Sequence, residues 1–225
     1  MISVNLEIPR LIECLKLDIM NILSKFKENF MDTTIKYFTQ GELKRLFKTI
    51  ENSNDRHAFR NLCIFRIAYR CGLRASEIGL IRLENYNKSK GELYCKRLKG
   101  SWNNTIALDK ETIRVLNRYV KEYEIKENSE LLFKSQEGKP ISRKMLDYLM
   151  KHYCEIAKIK DKSKWHFHCL KHSIAVHLAE SDLDIKEVKF WLSHKSVNST
   201  LCYFQFTSSQ QKTMLEKLEK HSMLV

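Results

Sequence analysis

Six glycines and two prolines in a chain of 225 residues leave few places for sharp turns or left-handed backbone. A β-rich fold needs such residues at most of its turns, so their scarcity predicts a mostly helical protein with short connections. The apolar spacing agrees. Leu11, Ile12, Leu15, Ile19, Ile22, Leu23, Phe26 and Phe30 recur at helical intervals and predict one amphipathic helix within residues 2–30, with a connector over Asn29–Tyr37. Thr39-Gln40-Gly41-Glu42 is a capping-box pattern that opens a helix running to about Ile50. A further helix over about 56–70 ends at Gly72, placed to serve as a left-handed C-cap.

Between Leu83 and Leu108 the period changes from helical to alternating. Glu92–Leu98 and Asn104–Leu108 flank Lys99-Gly100-Ser101-Trp102 and predict a hairpin, with a third strand near 82–86. Helices resume at 110–124 behind Asp109, 143–158 behind Ser142, 169–180, 185–193, 197–205 and 209–221. The expected fold class is mainly α with a small antiparallel sheet (α+β). Two parts are expected: residues 1–35 as helix and connector, and residues 36–225 as one domain ending in a C-terminal helix.

Lys+Arg 40 against Asp+Glu 27 gives a formal charge of +13. So large an excess favours a polyanionic partner, nucleic acid or an acidic membrane surface. The basic residues form no block, which assigns the charge to a folded face. The seven cysteines (Cys14, Cys63, Cys71, Cys95, Cys154, Cys169, Cys202) contain no C-x-x-C spacing and suit small apolar fillers in a reducing compartment. The first 30 residues carry charge throughout, unlike a secretory signal. No stretch reaches the roughly 18 uncharged apolar residues of a membrane span. The expectation is a cytoplasmic protein with no membrane partner.

Toward the C-terminus, His168-Cys169-Leu170-Lys171 is followed by Leu192-Ser193-His194 and then Tyr203, while Arg74 sits upstream in Cys71-Gly72-Leu73-Arg74-Ala75-Ser76-Glu77-Ile78. These residue types are what a phenol needs to attack a phosphodiester. A tyrosine hydroxyl, with a pKa near ~10, needs a hydrogen-bond partner. The transition state places charge on non-bridging oxygens, which calls for fixed cations and donors, and the leaving oxygen needs a proton. Arg74, Lys171 and His194 with Lys99 and His168 can fill those roles, with no metal and no cofactor. His166, His168, His172 and His177 raise zinc as an alternative. A metalloprotease helix, however, would carry glutamate where Cys169 stands, and no cysteine pair completes a structural set.

Over about residues 38 to 210 these boxes, in this order, resemble the tyrosine recombinase (phage integrase) family of DNA strand-exchange enzymes. The resemblance implies that Arg74 grips the scissile phosphate and that Lys99, at the hairpin tip, protonates the leaving oxygen, with Lys96 and Arg97 as less favoured stand-ins. It implies that His168 and His194 complete the donor set and that Tyr203 becomes joined to the 3′-phosphate. It further implies double-stranded DNA as partner and a homo-oligomer, four protomers on two sites. Lys171 stands where the family pattern has a second arginine; lysine keeps the charge but loses the planar fork. Only 38 residues precede Thr39, where relatives carry a larger DNA-binding domain, a layout that also resembles short members that invert DNA segments. Accessory DNA-binding proteins would then supply missing contacts. Thr207–His221 is expected either to dock on a neighbouring subunit or to pack on its own domain. The rival expectations are a relaxase-like nicking enzyme with the same chemistry and a DNA-binding accessory protein whose site has decayed at Lys171.

Overall fold

The computed structural model describes residues 35–98 and 100–204. The chain divides into two compact units, Met1–Ile35 and Lys36–Val225. The helix expected within 2–30, the helix expected over 209–221, and Lys99 lie outside the described residues.

Helix α1 (Gln40–Glu51) begins with the capping box intact: Thr39 Oγ1 accepts from the Glu42 backbone N–H, and the Glu42 carboxylate accepts from that of Thr39. Its buried stripe, Leu43, Leu46 and Ile50, packs against α2 (Ala58–Arg70). Helix α2 is buried almost all round, the mark of a central helix. Gly72 ends it at φ 57, and Leu73 N–H reaches back to Ala68 O. A Cβ at Gly72 would come within 3.0 Å of Leu192 Cδ2, so glycine answers both the left-handed backbone and a close approach. The short helix α3 (Ala75–Ile78) follows at once, with Arg74 as its N-cap residue.

The sheet has three antiparallel strands in the order β1 (Tyr86–Asn87), β2 (Glu92–Cys95) and β3 (Asn104–Ala107). Tyr86 pairs with Leu93, and Cys95 with Asn104. The ladder stops three residues short of the expected Leu98. The cause is Arg97, whose backbone N–H is taken by Asn103 Oδ1 while its side chain turns into the core. The expected strand over 82–86 is a single 3-10 turn, Leu83–Asn85, leading into the two-residue β1.

Asp109 and Ser142 cap α4 (Lys110–Glu122) and α5 (Arg143–Ile156) through side-chain oxygens, as expected. The remaining helices are α6 (Cys169–Ala179), α7 (Ile185–Leu192) and α8 (Asn198–Leu201), the last tightening into a 3-10 turn over Cys202–Phe204. Like α2, helix α6 is buried on nearly every side; it packs against α2, α7 and the turn that carries Tyr203. The fold is mostly helical with a small sheet. The end of α2, at Gly72, meets the start of α6, at Lys171, and Arg97 from the hairpin bonds to the carbonyls of Cys71 and Gly72; the candidate residues gather there.

Candidate active site

The last turn of α7 explains how the site is assembled. A helix C-terminus leaves carbonyls without intrahelical partners and carries partial negative charge. Here side chains from the hairpin and from α6 meet those carbonyls. Asn104 Nδ2 donates to Phe190 O and Trp191 O, Arg97 Nη2 reaches Trp191 O at 3.4 Å, and Lys171 Nζ lies 3.4 Å from Leu192 O. Ser193 then adopts a left-handed conformation (φ 60) and its carbonyl accepts from Trp102 N–H. His194 emerges directly after this lock.

Arg74 is held from the other side. Its guanidinium Nη1 donates to Glu77 Oε1 at 2.9 Å, to Ser101 Oγ at 3.2 Å and to Leu98 O at 3.4 Å. Glu77 Oε2 accepts from the Arg74 backbone N–H at 2.8 Å and lies 3.5 Å from Arg97 Nη1, while Oε1 also accepts from Leu98 N–H at 3.0 Å. Burial pushes the Glu77 carboxyl upward, yet those hydrogen bonds and the Arg97 charge outweigh it and hold the group below its usual range. Glu77 therefore clamps the arginine loop to the hairpin. Leu98 and Ser101, which flank Lys99, are tied to Arg74, so both sides of the hairpin tip reach the site.

Lys171 is 2% exposed. Burial, followed by the Arg97 and Arg74 charges, pulls its ammonium down to about 7. His168, at the start of α6, is open to solvent on one side. The protein around it, then His172, Lys171 and Arg74, draw it down to about 4. His194 is half-buried and also falls to about 4, chiefly through burial and then through Lys171, Arg74 and Arg97. Its Nδ1 lies 2.9 Å from Thr200 Oγ1. When Thr200 donates that bond, the ring proton sits on Nε2.

Tyr203 is 8% exposed, and burial raises its phenol while the nearby Arg74 charge opposes the rise. The hydroxyl lies 3.0 Å from His172 Nδ1, and the ring stacks against His194 with centroids 6.3 Å apart. Arg74, His168, Lys171, His194 and Tyr203 thus form one cluster of mutually interacting groups where the end of α2, the start of α6 and the end of α7 come together near the hairpin. Lys99 is the one sequence candidate outside the described residues.

Three further residues belong to this cluster. Arg97, with a fully buried side chain, is committed to Cys71 O, Gly72 O, Asn104 and Glu77, which removes it as a stand-in for Lys99. Strand parity held the clue, because Arg97 shares the inward phase of Leu93 and Cys95. Lys96 points to solvent. Glu77 sat inside the arginine box without an assigned part, and His172 stood out only as a histidine of the zinc alternative. The fourth histidine of that alternative, His177, pairs its Nδ1 with Tyr69 Oη at 2.9 Å.

A helical domain whose hairpin and two central helices surround a tyrosine with cations and imidazoles has the fold of tyrosine recombinase catalytic domains. Solved structures share it: a XerA recombinase (TM-score 0.68, 19% identity, 80% of this chain and 64% of that one) and the catalytic domain of bacteriophage HP1 integrase (TM-score 0.59, 19% identity, 81% and 94%). The chain belongs to the phage integrase family, whose profile matches residues 36–210. It is 28% identical over 188 residues to tyrosine recombinase XerA of Pyrococcus furiosus, covering 82% of this chain and 62% of that protein. It is 29% identical over 149 residues to tyrosine recombinase XerD of Pseudomonas putida, covering 64% and 49%. The chain therefore spans between about half and three-fifths of the length of these relatives.

Proposed function

We propose that this chain cuts and rejoins DNA strands at specific sites through a 3′-phosphotyrosyl intermediate. The observation that carries the reading is the cluster of Tyr203, Arg74, Lys171 and the histidines. Tyr203 attacks the scissile phosphorus as its hydroxyl passes its proton to water, and the P–O5′ bond breaks. Lys99 protonates the departing 5′-oxygen. Arg74 and Lys171 neutralise the non-bridging oxygens, and the neutral rings of His168 and His194 each offer one N–H to them. A 5′-hydroxyl from a partner duplex then attacks the phosphotyrosyl bond. Each step exchanges one phosphodiester for another, so no ATP is consumed.

Double-stranded DNA as partner suits the +13 charge. It also suits Lys186, Lys189 and Lys195, which line a cleft beside His194 with Trp102 and Phe190. The names of relatives and fold neighbours support the same reading: they include tyrosine recombinases, a XerH site-specific recombinase bound to difH substrate, and a Tn1549 transposon integrase bound to circular intermediate DNA. Exchange between two sites calls for four protomers, with accessory DNA-binding proteins supplying further contacts. The chain works in the cytoplasm, on chromosomal or mobile-element DNA.

A suicide substrate nicked beside the cleavage position tests the proposal, since loss of the short 5′ fragment traps the adduct. The wild type is expected to accumulate covalent complex and Tyr203→Phe none, with comparable DNA binding. An equal adduct in the variant overturns the choice of nucleophile. Plasmids with two sites are expected to exchange flanks; nicking or relaxation with no exchange would leave a relaxase-like enzyme instead.

A further inference from the structure

One contact in the pocket has no part in the roles above. The Tyr203 hydroxyl meets His172 Nδ1 at 3.0 Å. His172 follows Lys171 on α6, is half-buried, and stands edge-on against His168 with ring centroids 4.5 Å apart. His194 also neighbours the phenol and lies nearly parallel to it, at an interplanar angle of 19°. Tyr203 therefore has two imidazoles against it and is bonded to one of them.

The chemistry gives that bond a purpose. A phenol attacking phosphorus must present an oxygen lone pair along the line of attack, so its O–H has to point elsewhere. With no acceptor, the hydroxyl rotates freely and the productive orientation is one of several. Burial of Tyr203 makes the free phenolate costlier still, so an acceptor that polarises the O–H matters more here than in water. His172 suits the task. Burial, then the His166 and Lys171 charges, draw it down to about 4. The ring therefore stays neutral at physiological pH, and in its Nε2–H tautomer Nδ1 offers a lone pair. A cationic ring would offer two donors and no acceptor.

We propose that His172 is a positioning residue for the nucleophile: Nδ1 accepts the hydrogen bond of the Tyr203 hydroxyl and turns an Oη lone pair toward the phosphate held by Arg74 and Lys171. The proposal rests on Tyr203 being the attacking group. It separates two duties among the clustered histidines, with His168 and His194 serving the phosphate and His172 serving the tyrosine.

The test compares rates of covalent adduct formation by the full chain on the nicked suicide substrate, at saturating DNA so that affinity does not enter. His172→Phe keeps a ring and removes the acceptor. His172→Asn places Oδ1 where Nδ1 stood. Phenylalanine is expected to slow adduct formation by about 100-fold, the scale of losing reactive alignment, and asparagine to return it to within about fivefold of wild type. A second substrate carries a 5′-bridging phosphorothiolate, whose sulfur departs without a proton. It restores variants lacking the leaving-group acid and is expected to leave the His172→Phe deficit in place. Three results overturn the proposal: a phenylalanine variant as fast as wild type, an asparagine variant as slow as the phenylalanine one, or rescue of His172→Phe by the phosphorothiolate. A wild type that forms no adduct fails the reading of Tyr203 itself, which is distinct from a reactive wild type matched by His172→Phe.

Discussion

Glu77→Gln is the substitution that most directly probes how the pocket is held together. The change keeps shape and removes one charge. In the wild type, Oε1 accepts from Arg74 Nη1 and Leu98 N–H, and Oε2 accepts from the Arg74 N–H and faces Arg97 Nη1 at 3.5 Å. Both Glu77 and Arg97 side chains are 0% exposed. Glutamine turns one of the two oxygens into an amide donor aimed at N–H groups and leaves the Arg97 guanidinium buried without its counter-charge. Removing one partner of a buried pair costs about 3–5 kcal/mol, against a total stability of about 5–15 kcal/mol for a domain. The expected result is a drop of ~4 kcal/mol in urea unfolding at pH 7, with little change in slope. The pH dependence adds a check on sign. Because the Glu77 carboxyl is lowered in the fold, its contribution is complete above the unfolded value near ~4.3 and is lost as pH falls through the folded value. The gap between wild type and variant therefore narrows in acid. A variant within 1 kcal/mol of wild type at pH 7, on the same order-of-magnitude scale, would refute the clamp.

Acid should also weaken the fold through the histidines. His172 and His194 sit at about 4, below the unfolded value of ~6.5, so the unfolded chain binds more protons between those limits and stability falls as pH drops through the window. At full development this is at most about 3 kcal/mol for His172 and less for the more exposed His194, where solvent screens the charge, and a flat urea midpoint from pH 6.5 to 4 would contradict it. Lys171, held at about 7, loses its charge in the free protein as pH rises above that value, whereas arginine would not. Cleavage at limiting DNA is expected to fall above pH 7 in the wild type and to stay level in Lys171→Arg; a steep loss in that variant at every pH would show a site built around the shorter ammonium. Gly72→Ala should destabilise by more than the ~1 kcal/mol of a strained left-handed residue, because the new Cβ meets Leu192 Cδ2 at 3.0 Å, and unchanged thermal unfolding would count against that contact.

What the sequence made legible follows from the range of each interaction. The Thr39 capping box, the Asp109 and Ser142 caps and the left-handed Gly72 are decided within a few residues, and the structure has each as read. The length of β2 was not legible, because it is set by Arg97 turning toward Cys71 O and Gly72 O, carbonyls 25 and 26 positions away. The helix expected over 197–205 splits into α8 and a 3-10 turn where the Tyr203 ring meets His172 and His194. In the site, the order of the boxes pointed to residues that each carry a charge or a donor of recognisable type. Glu77 and His172 make their contacts to Arg74 and Tyr203, and contacts of that kind are written only in the tertiary structure.

The most direct measurement is the identity of the residue joined to DNA. Covalent complex from the suicide substrate, digested with nuclease and protease, can be sequenced by mass spectrometry. The expected product is a single nucleotide linked through its 3′-phosphate to Tyr203, with the opposite DNA end bearing a free 5′-hydroxyl. A linkage to any other side chain, or to a 5′-phosphate, would contradict the assembly of this pocket around Tyr203 as the attacking group.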